Sequence, residues 1–125
     1  MQAKGKILIV DDEISIIELV QMELVRRGYH VRIASGGEEA LSILRENEMD
    51  LLVTDLRMPN IDGVELIRRA NQINPKMPCV IVSGQGELEV SYRGKDIHIY
   101  RFLEKPFGLD EIEEILENAL QQLDR

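Results

Sequence analysis

The stretch "LLVTDLRMPNIDG", Leu51 to Gly63, runs apolar and then stops on an acid. Leu51, Leu52 and Val53 are suited to burial on both faces of a sheet, the mark of parallel strands covered by helices. The strand delivers Asp55 to its end, and a turn with Pro59 and Gly63 follows. Two other runs share this unbroken character, "ILIV" (Ile7 to Val10) and "CVIV" (Cys79 to Val82). "HVRIA" (His30 to Ala34) and "YRFLE" (Tyr100 to Glu104) instead mix polar with apolar positions, as half-exposed edges do.

That contrast puts the first, third and fourth strands inside and the second and fifth at the edges. Right-handed crossovers then make 2-1-3-4-5 the natural order, which predicts a flavodoxin-like, doubly wound, five-stranded parallel sheet with helices on both faces. Between the strands, Ile16, Val20 and Leu24 repeat every four residues, with Ile17 alongside. Ala40, Leu41 and Leu44 mark a second helix, and Leu66, Ile67 and Ala70 a third. Ile112, Ile115, Leu116, Ala119, Leu120 and Leu123 form the clearest stripe, in the last helix. Gly28 stops the first helix, and Pro75 and Pro78 bracket the turn into the fourth strand. The segment between the fourth and fifth strands, "GQGELEVSYRGKD", suits only a weak helix from Glu87 to Arg93, because its glycines cost helix stability and its apolar cover is thin.

The 125 residues fit one domain, 1–125, long enough to bury roughly two-thirds of the unfolded surface. A content of 44% hydrophobic and 30% charged residues is that of ordinary globular proteins. The formal charge of -8 argues against direct binding of nucleic acid, which needs a basic face. No apolar run reaches the ~18 residues of a membrane span, and acids interrupt the first run too early for a signal peptide. The expected location is the cytoplasm. Cys79 is the only cysteine, so no internal disulfide forms, and its apolar run suits a buried thiol.

In an open parallel sheet, ligands bind beyond the carboxyl ends of the strands, where the order reverses. Here Asp11 and Asp12 end the first strand, Asp55 the third and Ser83 the fourth, while the fifth runs into Lys105. Each of these has an ordinary alternative. Asp11 or Asp12 suits a helix cap, Asp55 a turn, Ser83 a loop, and Lys105-Pro106 a solvated pair. Their coincidence at one rim points instead to a site. Clustered carboxylates repel one another unless protons or a cation join them, and a few oxygen ligands suit Mg²⁺. His30 and His98 lie in or beside edge strands and suit surface positions.

The motifs "KILIVDDE", "LLVTDLRMPNIDG", "VIVSG" and "FLEKPF", in this order, resemble the receiver domains of two-component response regulators over nearly the whole chain. The resemblance implies that Asp55 takes a phosphoryl group from a phosphohistidine on a sensor histidine kinase or a histidine phosphotransfer protein. It implies Mg²⁺ ligation by Asp12, Asp55 and the backbone carbonyl of Arg57, with Asp11 acting through water. Ser83 would bond a phosphoryl oxygen, Lys105 would pair with the Asp55 or phosphoryl charge, and Phe102 matches an aromatic switch position. A cis Lys105–Pro106 bond is implied too. The output surface would be the face of the fourth strand, the weak helix and the fifth strand, and the downstream effector is not named by the sequence. No enzymatic activity beyond self-phosphorylation and self-dephosphorylation is expected.

This chain departs from many receivers in having His98 and Ile99 where a small Gly-Ala pair is common, and Phe102 where tyrosine is often seen. "IYRFLEKPF" is similar to receivers attached to cyclic-di-GMP phosphodiesterases of the HD-GYP class, so the chain also reads as the receiver piece of a longer regulator. A Mg²⁺-dependent phosphatase with an aspartyl nucleophile would carry a second acid two residues after Asp55, where Arg57 stands. A flavodoxin-like FMN binder would need a phosphate loop in place of "DDEIS", and an interaction module without phosphate chemistry would not need the full acid set.

Overall fold

The computed structural model describes residues 4–84 and 97–123. Nine elements follow in chain order: β1 (Lys6–Val10), α1 (Ile14–Arg26), β2 (His30–Ala34), α2 (Gly37–Glu46), β3 (Leu51–Asp55), α3 (Gly63–Ile73), β4 (Cys79–Ser83), β5 (Arg101–Glu104) and α4 (Leu109–Leu123). The strands make one sheet of order β2-β1-β3-β4-β5, parallel at every pairing. This is the expected topology, and β4 is buried along its whole length while β2 and β5 alternate. The helix expected from Glu87 to Arg93 lies outside the described residues.

Side chains alternate across the sheet and build two cores. Leu8, Leu52 and Ile81 face α2 and α3, meeting Leu41, Leu66 and Ile67. Ile7, Ile9, Val53 and Val82 face α1 and α4, meeting Ile17, Leu24, Ile112 and Leu116. In α4, Ile112, Leu116 and Ala119 are buried and Ile115 and Leu120 half-buried, as the stripe required. The side chain of Leu123 lies outside the described set.

Helix α1 departs from its expected packing. Ile17 and Leu24 are buried and Val20 is half-buried, but Ile16 is 49% exposed. A four-residue repeat advances about 40° beyond a full turn each time, so Ile16, Val20 and Leu24 cannot share one inward direction. The inward direction lies nearest Ile17 and Leu24. Leu19, Met22 and Val25 are also more than half exposed, at 68%, 62% and 51%. Gly28 does end α1, with φ of +106°, while Gly28 N–H donates to Val25 O and Tyr29 N–H to Leu24 O.

The register aligns the carboxyl ends. Val10 lies opposite Ala34 and Thr54, Asp55 opposite Val82, and Ser83 opposite Glu104. Residues just past these positions therefore gather at one rim. Among the described residues no helix is long and apolar enough to cross a membrane.

Candidate functional site

Asp11, Asp12 and Asp55 meet at that rim, each offering a carboxylate oxygen, with the three oxygens within 4.8 Å of one another. Asp11 is buried, Asp55 half-buried and Asp12 exposed. Lys105 reaches in from the end of β5, its Nζ 3.2 Å from Asp55 Oδ1 and 3.7 Å from Asp11 Oδ2. The Lys105 N–H donates to Ser83 O at 2.8 Å, which anchors the lysine to the end of β4. The Lys105–Pro106 peptide bond is cis.

Among the described residues three acids face one ammonium, and the electrostatics record the imbalance. Burial pushes the Asp11 carboxyl above its usual range; the Glu13 N–H opposes the rise and the Asp55 charge adds to it. That N–H lies 2.9 Å from Asp11 Oδ1. Burial also lifts Asp55, opposed by the Lys105 hydrogen bond and charge and by the Leu56 N–H, with Asp12 adding to the rise. Loss of solvent alone would lower Lys105, but the Asp55 hydrogen bond and the charges of Asp55, Asp11 and Glu13 hold it above its ordinary value. One lysine does not satisfy the cluster.

This donor set fits Mg²⁺. It is all oxygen, it is small enough to leave room for waters, and its three carboxylates outnumber the one ammonium beside them among the described residues. Among the described residues no other group of three acids, histidines or cysteines converges in this way. The remaining expected residues lie on or just beyond β3, β4 and β5. Ser83 is buried, and its hydroxyl donates to Gly84 O at 3.2 Å. Arg57 is exposed two residues beyond Asp55, and Phe102 is half-buried against the core on the α2 and α3 side. Glu13, which did not figure among the expected site residues, adds its N–H to Asp11 and its charge to Lys105.

Two more residues lie against the Asp55 backbone, Thr54, which did not stand out in the sequence, and Gly63, which read only as part of a turn. The hydroxyl of fully buried Thr54 donates to Asp55 O at 2.9 Å. Gly63 opens α3 hard against the Asp55–Leu56 backbone, and its N–H donates to Leu56 O at 2.8 Å. The available signals were a polar residue inside an apolar run and the "DG" pair, which reads first as a turn. Asp62 of that pair caps α3, its side chain accepting from Glu65 N–H. An apolar cavity of about 500 Å³ opens beside the acids, with Ile16, Ile17, Val20 and Phe107 in its lining.

Residues 7–117 match the family model of the response regulator receiver domain. The chain is 32% identical over 115 residues to sporulation initiation phosphotransferase F of Bacillus subtilis, covering 92% of this chain and 93% of that protein. It is 31% identical over 116 residues to the transcriptional regulatory protein GlrR of Escherichia coli, covering 93% of this chain but only 26% of that protein. The chain thus spans about a quarter of the length of GlrR and of the ZraR regulator of Salmonella typhimurium. The crystal structure of a response regulator receiver domain protein from Clostridium thermocellum superimposes with a TM-score of 0.89 at 30% identity, covering 96% of this chain and 97% of that one. Sequence and fold agree: the chain belongs to the response regulator receiver domain family.

Proposed function

We propose that this chain is a phosphoacceptor switch in which Asp55 takes a phosphoryl group from a phosphohistidine on a sensor histidine kinase or a histidine phosphotransfer protein. An Asp55 carboxylate oxygen attacks phosphorus, the P–N bond breaks, and the imidazole leaves with the electron pair. Water later attacks the acyl phosphate and returns the carboxylate and inorganic phosphate. The observation that carries this reading is the convergence of Asp55 with Asp11, Asp12 and Lys105 at the end of a buried strand.

Mg²⁺, when bound, supplies positive charge against the carboxylates and the phosphoryl oxygens. Asp12, Asp55 and the Arg57 carbonyl would hold it directly, and Asp11 through water. Lys105 orients the Asp55 carboxylate before transfer and pairs with the phosphoryl charge afterwards. Ser83 gives up its bond to Gly84 O and turns to a phosphoryl oxygen, and the change passes to the β4–β5 face through Phe102. The chemistry is confined to this one aspartate, and the chain turns over no other substrate. Its setting is the cytoplasm, without direct contact with nucleic acid or membrane.

The phosphodonor has a natural approach over α1, where Ile16, Leu19, Met22 and Val25 leave apolar surface open and Ile16 borders the same cavity as Asp11 and Asp55. A second reading, the switching piece of a longer regulator, is favoured by its share of GlrR, whereas it matches phosphotransferase F over 93% of that protein. An HD-GYP phosphodiesterase is one output class that the "IYRFLEKPF" segment favours. Intact mass after treatment with acetyl phosphate and Mg²⁺ tests the central chemistry. One phosphoryl adduct is expected, absent with EDTA and absent in Asp55→Asn; an equal adduct in Asp55→Asn would overturn the reading.

A further inference from the structure

We propose that Thr54 and Gly63 are positioning residues that set the Asp55 carboxylate by holding its main-chain carbonyl from two sides. The inference rests on the reading of Asp55 as phosphoryl acceptor, and neither residue needs to touch the phosphoryl group itself.

Thr54 and Asp55 point to opposite faces of β3, so Thr54 projects toward α2 and α3. Its side chain is fully buried, and its hydroxyl bonds the Asp55 carbonyl oxygen. Gly63 meets the same oxygen from the start of α3. A Cβ at Gly63 would fall well inside van der Waals contact of Asp55 O and within 3.0 Å of Leu56 Cα. The atoms it would strike are backbone, so they cannot swing aside as a flexible side chain does. This segment is also fixed at its other end, because Leu56 N–H donates to Val82 O and Gly63 N–H to Leu56 O, both at 2.8 Å.

The peptide unit from Asp55 to Leu56 is therefore gripped by β4, α3 and the Thr54 hydroxyl together. It is the joint between two donors assigned to Mg²⁺, the Asp55 carboxylate before it and the Arg57 carbonyl after it. Rotation at Asp55 ψ swings one donor against the other. It also moves the Leu56 N–H, which helps to hold the Asp55 charge. A displacement of about 1 Å in a reacting group can cost on the order of a hundredfold in rate, so the joint needs a rigid support. Burial of the Thr54 hydroxyl strengthens that support, since no water competes for its bond.

The test uses Thr54→Val, Thr54→Ser and Gly63→Ala, with Asp55→Asn as a control. Calorimetry gives the Mg²⁺ affinity, acetyl phosphate gives the labelling rate at saturating Mg²⁺, and urea gives the unfolding midpoint. Thr54→Val is expected to lose on the order of tenfold in both affinity and rate, with Thr54→Ser restoring them. Gly63→Ala is expected to lose more, and if it fails to fold the Thr54 pair carries the test. A Thr54→Val protein with a lower urea midpoint but wild-type affinity and rate would make Thr54 a packing residue and overturn the proposal. So would failure of Thr54→Ser to restore them. If Asp55→Asn is still labelled, the acceptor assignment fails instead, and the Mg²⁺ titration still decides the positioning claim.

Discussion

Two of the charge clusters among the described residues follow opposite rules. At the crevice, Asp11, Asp12 and Asp55 face the single ammonium of Lys105. Around the end of α1 and the start of α4, Glu23, Asp110 and Glu113 meet Lys4, Arg26 and Arg27, cation for acid. In the second cluster the Glu113 and Asp110 carboxylates hold the Arg27 guanidinium above its ordinary value, and every charge has a partner. In the first, burial lifts Asp11 and Asp55, and the deficit stays. A balanced cluster joins two elements of the fold. An unbalanced one weakens the fold and makes sense when a cation and a phosphoryl group arrive from outside.

The largest effect expected at the unbalanced cluster concerns the metal. Asp12→Ala should lose at least on the order of tenfold in Mg²⁺ affinity by calorimetry, since it removes a carboxylate proposed to bind the metal directly. Unchanged affinity would make Asp12 an ordinary exposed acid and dissolve the contrast. Lys105→Ala should split the two roles of the crevice. Mg²⁺ binding should remain, while most of the change in the NMR spectrum on adding beryllofluoride should disappear, because a partner for the phosphoryl oxygens is gone. A wild-type response in that variant would refute the coupling assigned to Lys105.

A smaller effect follows from the raised carboxyls. The folded chain holds protons at Asp11 and Asp55 that the unfolded chain releases at the same pH, so this pair favours folding more as pH falls through their native values and less above them. Asp11→Asn without Mg²⁺ should therefore raise the melting temperature at about pH 8, where the charged form dominates, with the gain shrinking in acid. A lower melting temperature at every pH would mean that the Lys105 and Glu13 contacts of Asp11 outweigh its burial. Smallest of all, Arg27→Ala should lower the unfolding midpoint slightly and leave Mg²⁺ affinity and labelling rate unchanged, because its partners Glu23, Asp110 and Glu113 lie outside the crevice cluster. Loss of labelling there would break the division between the clusters.

The division also explains what the sequence made legible. Buried parallel strands need unbroken apolar runs, so "ILIV", "LLVT" and "CVIV" announced themselves, and a site built at strand ends lies a residue or two beyond each run. Asp11, Asp12, Asp55 and Lys105, which meet at the rim, were readable for that reason. The joining cluster was not, since Arg27 and Glu113 are 86 positions apart and surface charges carry no periodic signal. Helix α1 misled at Ile16 because apolar residues occur on nearly all of its sides, and repeat spacing alone does not tell which side turns inward. Thr54 stayed hidden and Gly63 read only as a turn residue, because their contacts with the Asp55 carbonyl exist only in the folded chain. Cys79 was legible as a buried thiol; burial pushes it up to about 12, which leaves little thiolate for reaction.

The central claim is that the crevice cluster is unbalanced because Asp55 awaits a phosphoryl group. Borohydride reduces an aspartyl phosphate to homoserine, so reduction after labelling with acetyl phosphate and Mg²⁺, followed by peptide mass mapping, reads the acceptor directly. Homoserine is expected at position 55 alone, with none formed when Mg²⁺ is removed. Homoserine at Asp11 or Asp12 in place of Asp55, or unmodified Asp55 in a fully labelled sample, would contradict it.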